Sequence, residues 1–170
     1  MKSILSLITF CFMSILGFSQ EISDDYLGEY KGELQIFSKG NTNTVEMEFK
    51  LKPTDTPSVY DYILIYHSQN GTDIREYVLK QKDSTGNYLL DENNGIVLST
   101  KYINNSLHSF FKVQNSLLKS SIRFGKNYAE FEIVMANTSQ VDTTATADKS
   151  FEVFAYPIAT YQFARLEKLK

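Results

Sequence analysis

The stretch TVEMEFKLK, residues 44–52, decides the fold class, because apolar and charged side chains alternate along it without a break. Every odd-numbered position from 45 to 51 is apolar, and every even-numbered position from 46 to 52 is charged. A period of two is the spacing of a β-strand that buries one face and exposes the other. The stretch therefore predicts a half-buried antiparallel strand.

The same alternation recurs along the chain. YAEFEIVM (128–135) places apolar residues on one face and its glutamates on the other, and LHSFFKV (107–113) does the same less cleanly. YDYILIYH (60–67) is apolar on both faces, so its pattern does not say which side points inward. QNSLLKSSIR (114–123) is the best candidate for a helical turn, but a strand is still favoured there.

Turn signals separate these strands. Clusters rich in Gly, Asn, Asp, Ser and Pro recur roughly 8 to 16 residues apart, a spacing typical of short strands joined by hairpins. A long meander has two exposed edges unless it closes on itself. The sequence thus predicts an all-β fold, an antiparallel up-and-down meander of about 8–10 strands that closes into a barrel. A two-sheet sandwich is the alternative.

One connection is longer than the others. NTSQVDTTATADKS (137–150) is rich in Thr, Ser, Asp and Ala and has no apolar stripe, so we expect a mobile exposed loop. Pro157 follows it inside a patterned segment. Because proline donates no hydrogen bond to a sheet, this position predicts a hairpin turn or a bulge.

Glycines mark the first strand, YLGEYKGELQI (26–36), where Gly28, Tyr30 and Gly32 share the apolar face. Glycine at such positions lets a strand bend sharply or lets a neighbouring ring lie against the backbone. The Gly28-Glu29-Tyr30 step, together with Arg165 in YQFARLEK near the end of the last strand, resembles the calycin group of lipocalins and fatty-acid-binding-like barrels. Lipocalins have a G-x-W step at the first position and a basic residue at the second.

The resemblance implies a calycin-like barrel. It implies that Gly28, Tyr30 and Arg165 tie the first strand to the last, with the arginine stacked on the tyrosine ring. It also implies that a small apolar or amphipathic molecule binds inside the barrel.

Residues 1–19 have the layout of a secretory signal peptide. Lys2 precedes an apolar run of about 15 residues, which is shorter than the roughly 20 needed to span a bilayer. Gly17 and Ser19 are the small residues expected before a cleavage site at Gln20. We therefore expect an exported protein, periplasmic or secreted, in which residues 20–170 form a single β-barrel domain without a membrane span.

The composition limits the kinds of catalytic and metal-binding site that the protein can contain. The single cysteine, Cys11, lies within residues 1–19, so cleavage would remove thiol catalysis, disulfides and cysteine-ligated metals. The net charge of −3 argues against nucleic-acid partners. His67 and His108 lie on different strands without metal-ligand spacing, and no nucleophile motif is present. We expect a protein that is not an enzyme and has no metal or cofactor.

Interior side chains are the candidate binding residues. The apolar positions expected to line the barrel and contact a ligand are Met47, Phe49, Phe111, Phe131 and Ile133. A cavity of about 300 Å³ or more would support this function. The alternative is a non-catalytic β-domain with a filled interior that binds a protein or another surface through its loops.

Overall fold

The computed structural model describes residues 20–170, so the signal-peptide prediction for residues 1–19 lies outside the described residues. The strands are β1 (Gly28–Ser38), β2 (Asn41–Pro53), β3 (Val59–Ser68), β4 (Gly71–Gln81), β5 (Asn87–Asp91), β6 (Val97–Ile103), β7 (Ser106–Val113), β8 (Ser116–Phe124), β9 (Tyr128–Asn137), β10 (Asp142–Ala145), β11 (Glu152–Ala155) and β12 (Ile158–Lys168). One short 3₁₀ helix, Asp24–Tyr26, precedes them. Within residues 20–170, no helix has the length and apolar character needed to cross a membrane.

Ten of these strands form one closed antiparallel barrel. β1 to β9 pair in chain order, β12 pairs with β9, and β12 also pairs with β1 to complete the circle. The all-β up-and-down barrel predicted from the alternation and the turn spacing is therefore confirmed. The segment 114–123 is strand, as favoured from its pattern, because it forms most of β8.

The structure shows which face of β3 points into the barrel. Tyr62 and Leu64 are buried, and they lie opposite Tyr77 and Arg75 of β4 in the antiparallel register. Strand residues opposite each other share a face. The even-numbered residues of β3 therefore point into the barrel, and its isoleucines lie on the outer wall.

The N-terminal segment covers one end of the barrel. Ile22 is buried there, and its backbone N–H donates to the Tyr88 hydroxyl at 3.3 Å. Tyr26 stacks on Phe124 with ring centroids 5.0 Å apart, and its carbonyl accepts a 2.6 Å hydrogen bond from the Tyr30 hydroxyl. Residues 20–27 thus seal this end, which we call the plugged end; the end where β1 meets β2 is the open end.

Barrel closure requires a glycine at position 32. Gly32 lies opposite Leu166 in the β1–β12 register, and a Cβ atom built on it would overlap the backbone carbonyl oxygen of Arg165. The absence of a side chain therefore allows β12 to approach β1. The sequence predicted a bend or a neighbouring ring at such a glycine, and the group that approaches Gly32 is instead the backbone of β12.

The long connection forms an ordered hairpin, which corrects the prediction of a loop over residues 137–150. β10 pairs with β11 from Asp142↔Ala155 to Ala145↔Glu152. In the turn between them, the Asp148 carboxylate accepts hydrogen bonds from the Thr146 hydroxyl at 2.6 Å and the Ser150 hydroxyl at 2.8 Å. We call this hairpin the arm. It has no buried side, so its strands show no alternation of apolar and polar residues.

Pro157 lies between the arm and β12. Its carbonyl accepts a 3.3 Å hydrogen bond from the Asn137 backbone N–H. The pairing of β12 with β9 shifts register between Ile158 and Thr160, just after the proline. An irregularity was expected at this point in the sheet, and the structure places one there.

We predict that Gly32→Ala lowers the free energy of unfolding by roughly 1–3 kcal/mol, the usual cost of forcing an extra atom into a packed site. The cost arises because the new methyl group pushes β12 away from β1. Chemical denaturation followed by circular dichroism measures it. The matched control, Glu33→Ala on the outer face, should change stability by no more than about 0.5 kcal/mol. Equal effects of the two substitutions would contradict this account of closure.

Candidate functional site

The interior near the plugged end is filled by aromatic rings. Tyr30 stacks on Phe49 with centroids 5.8 Å apart, and Phe49 meets Tyr62 edge-on at 5.0 Å. Phe49 and Met47 have no exposed surface at all. These side chains belong to one packed hydrophobic core.

The interior toward the open end contains a cavity of about 220 Å³. It lies among strands β3 to β9. Its walls are mainly apolar and aromatic, and several polar side chains also reach it. The lining residues are Tyr62, Leu64, Tyr66, Arg75, Tyr77, Leu90, Glu92, Leu98, Ser109, Phe111, Leu118, Ser120, Phe131 and Ile133.

The predicted ligand contacts divide between these two regions. Phe111, Phe131 and Ile133 line the cavity. Met47 and Phe49 do not, because they lie on β2, which contributes no residue to the cavity wall and packs into the core instead. The alternation places all five side chains inside the barrel, but it does not show which strands border the cavity.

Arg75 brings a positive charge to the cavity. It lies on the inward face of β4 opposite Leu64. Its guanidinium carbon is 5.1 Å from the centroid of the Tyr66 ring, within the range of a cation–π contact. Its Nε and Nη2 atoms contact the Asp73 carboxylate at 3.1 and 3.0 Å. The arginine side chain is about half exposed, so it sits where the cavity meets solvent.

Two tyrosines, Tyr66 and Tyr77, lie beside this arginine, and a third, Tyr62, also lines the cavity. Burial raises the pKa of Tyr62 above its ordinary value and raises the pKa of Tyr66 to about 12, while burial and the Glu92 charge raise the pKa of Tyr77. All three hydroxyls therefore remain protonated at neutral pH and can donate hydrogen bonds. Tyr62 is only 5% exposed, yet its hydroxyl makes no hydrogen bond to another described residue.

Sequence reasoning missed Arg75 because the local pattern suggests the wrong inward face for β4. In TDIREYV (72–78) the apolar residues Ile74 and Val78 alternate with polar ones, so the pattern favours these two as the buried face. The structure shows the reverse, because Ile74 is 56% exposed and Arg75 faces inward. A strand that turns an arginine inward and an isoleucine outward indicates a functional site. The sequence does not show this arrangement until the register of β4 with β3 is known.

The structure corrects the predicted contact between Tyr30 and Arg165. The residues on either side of Arg165 are buried, so its own side chain lies on the outer wall, 3.7 Å from the centroid of the Tyr128 ring. Lys168 takes the inward position instead, with its Nζ atom 5.8 Å from the Tyr30 ring centroid. A Cβ on Gly28 would lie 2.7 Å from the Lys168 side chain, so this glycine makes room for the lysine.

One acidic cluster lies on the outer wall. Glu46, Glu48 and His67 bring three possible ligand atoms within 4.8 Å of one another. Lys31 already contacts both carboxylates, at 2.9 and 3.5 Å. The cluster is an ion-pair network on the surface of β1 to β3. His108 also faces outward, opposite Lys101 and away from the cavity.

Comparison with known proteins supports the fold of this chain and nothing beyond it. No protein-family model matches the sequence, and no curated protein matches it. A solved structure from Nostoc punctiforme, a protein of unknown function from the DUF3598 family, is similar with a TM-score of 0.57 at 12% sequence identity. The match covers 85% of this chain and 48% of that one, so this chain spans about half the length of its neighbour. The likeness supports the barrel architecture; it does not establish a calycin relationship.

We predict that core and cavity positions respond differently to truncation. Met47→Ala should cost about 2–5 kcal/mol of unfolding free energy, because it opens a void in a packed core. Phe111→Ala removes more atoms but borders space that is already present, so it should cost less. Urea denaturation of both variants measures the difference. A larger loss for Phe111→Ala would mean that the cavity is not open in solution.

Proposed function

We propose that this protein is an exported carrier that binds a small amphipathic molecule in the open half of its barrel. The observation that carries the proposal is the cavity, which has apolar walls formed by residues such as Phe111, Phe131 and Ile133 and a polar group, Arg75, at its solvent side. Apolar walls with a few convergent polar groups are the usual composition of small-molecule sites.

The size of the cavity limits the ligand. Its volume of about 220 Å³ is below the roughly 300 Å³ at which pockets for drug-sized ligands begin, and below the threshold expected from the sequence. A molecule that fits inside is therefore compact. A longer chain would extend through the open end into solvent.

Export is the second part of the proposal. Its support is the sequence of residues 1–19, with Lys2, an uncharged apolar run and small residues before Gln20. A carrier outside the cytoplasm suits a barrel that holds together by packing, since residues 20–170 contain no cysteine.

The function is tested by blocking the cavity. Native mass spectrometry of the full-length gene product, purified from its own host, should detect a bound small molecule. Ile133→Phe fills the cavity and should abolish this adduct, because the larger side chain occupies the ligand's space. Val134→Phe, the next residue on β9, points to the outer wall and should keep the adduct.

Two results would contradict a carrier. One is the absence of any adduct together with no binding of small aromatic probes in titrations. The other is equal adduct loss in both phenylalanine variants, which would indicate an effect on the fold and not on the cavity.

A second candidate function, surface interaction, is favoured by the arm. All eight residues of β10 and β11 are exposed, and neither strand pairs with any strand of the barrel. The arm and its flanks also contain unusually exposed apolar side chains: Phe151 (71%), Val153 (55%), Phe154 (54%) and Ile158 (67%). Two-stranded hairpins are marginally stable alone, and unpaired edges bind extended segments of other chains.

Partner binding through the arm has a direct test. In cross-linking mass spectrometry on host extracts, inter-protein cross-links should concentrate on Lys149 at the arm's turn. The double substitution Phe151→Ser with Phe154→Ser should remove them, because it deletes the exposed aromatic surface. Phe110→Ser, which removes an equally exposed ring from the barrel wall, serves as the control. Cross-links that survive the arm substitutions would exclude this role.

A further inference from the structure

We infer that the cavity recognises a small planar acid, whose anionic head group accepts hydrogen bonds from Arg75 and from the tyrosine hydroxyls beside it. The inference rests on the proposed function and specifies the ligand class. It depends on three features of the site: the kind of hydrogen-bonding group present, one buried hydroxyl without a partner, and the shape of the walls.

Beside Arg75, the Tyr66 and Tyr77 hydroxyls can donate hydrogen bonds, whereas the Asp73 and Glu92 carboxylates near it can only accept them. A guanidinium offers only N–H donors, in a planar fork that matches a carboxylate. The Tyr66 and Tyr77 rings lie close enough to Arg75 to interact with its charge. A ligand that places acceptor oxygens here satisfies several donors at once, whereas a ligand amine would face the positive charge.

Tyr62 provides the second observation. Its side chain is 95% buried at the inner part of the cavity, and its hydroxyl has no hydrogen-bond partner among the described residues. No fully enclosed side-chain N or O atom of the described residues lacks a partner, so this hydroxyl borders the cavity space. Buried polar groups are nearly always satisfied. Water that reaches the cavity can satisfy this hydroxyl, and a ligand oxygen would replace that water.

Two carboxylates, those of Asp73 and Glu92, also lie near the site and affect the binding of an anion. Asp73 already pairs with Arg75, but both side chains are about half exposed, and such ion pairs contribute only about 0–1 kcal/mol. An acid bound in the drier cavity can displace Asp73 into water at little cost. Glu92 lines the cavity as well and would repel a bound anion.

The walls favour a flat molecule. The Tyr62 and Tyr77 rings lie nearly parallel, 18° apart, with centroids separated by 6.2 Å. Phe111 and Phe131 form the opposite side of the cavity. A planar aromatic body can pack against these faces, and the small volume excludes a fully enclosed long chain.

Three probes of matched shape test the inference. 2-Naphthoate, 2-naphthalenemethanol and 2-naphthylmethylamine share one ring system and differ in the charge of the polar group. Isothermal titration of the unmodified protein at pH 7 should show the acid binding at least tenfold more tightly than the alcohol, and the amine binding most weakly.

Single substitutions assign the preference to residues. Arg75→Met should weaken 2-naphthoate binding by roughly tenfold or more, the effect of losing a charged hydrogen bond, and leave the alcohol nearly unchanged. Lys80→Met, which removes a charge from the outer face of the same strand, should change neither. Tyr62→Phe should weaken the acid about threefold to tenfold. Glu92→Gln should strengthen it.

The outcomes separate the two proposals. If none of the three probes binds and no natural adduct is found, the carrier function itself is wrong. If the alcohol or the amine binds as tightly as the acid, the carrier function stands and the acid preference is wrong. If the acid is preferred but Arg75→Met and Lys80→Met weaken it equally, the preference comes from the overall field of the protein, and the assignment to Arg75 is overturned.

Discussion

The backbone approach of β12 to β1 is the constraint on which the rest of the structure depends. These strands pair along nine residue positions, from Tyr30↔Lys168 to Ser38↔Thr160. The approach is possible because position 32 has no side chain. Without this pairing, the ten-stranded sheet would have two free edges, and its apolar face would be open to water. Closure converts one face of a sheet into an interior.

That interior is packed at one end and open at the other because the two ends are covered differently. At the plugged end, residues 20–27 lie across the barrel, and aromatic rings fill the space beneath them. Toward the open end, two inward positions are the small residues Ser109 and Ser120. The Ser109 hydroxyl is satisfied by Thr100 at 2.7 Å. Short side chains opposite aromatic ones leave a cavity in an otherwise filled barrel.

The errors in the sequence-based site have separate origins. Strand periodicity identifies which residues share a face, and strand-end residues Arg165 and Lys168 differ in that parity, yet the resemblance to lipocalins selected the outward one. Periodicity also does not show which part of the barrel wall borders a cavity, so Met47 and Phe131 were grouped together although only Phe131 lines it. Arg75 was missed because Ile74 and Val78 suggest the wrong inward face for β4. Only the pairing with β3 shows that Arg75 faces inward.

The sequence by itself determined the all-β class, an up-and-down barrel of about 8–10 strands and the inward faces of β1, β2, β7 and β9, because local periodicity and turn residues encode these features. Only the tertiary structure decided which end is plugged, where the cavity lies, that Arg75 lies beside Tyr66 and Tyr77 there, and that residues 142–155 form an arm. These features arise from register between strands distant in sequence and from the depth of each side chain along the barrel axis. No local pattern records either quantity.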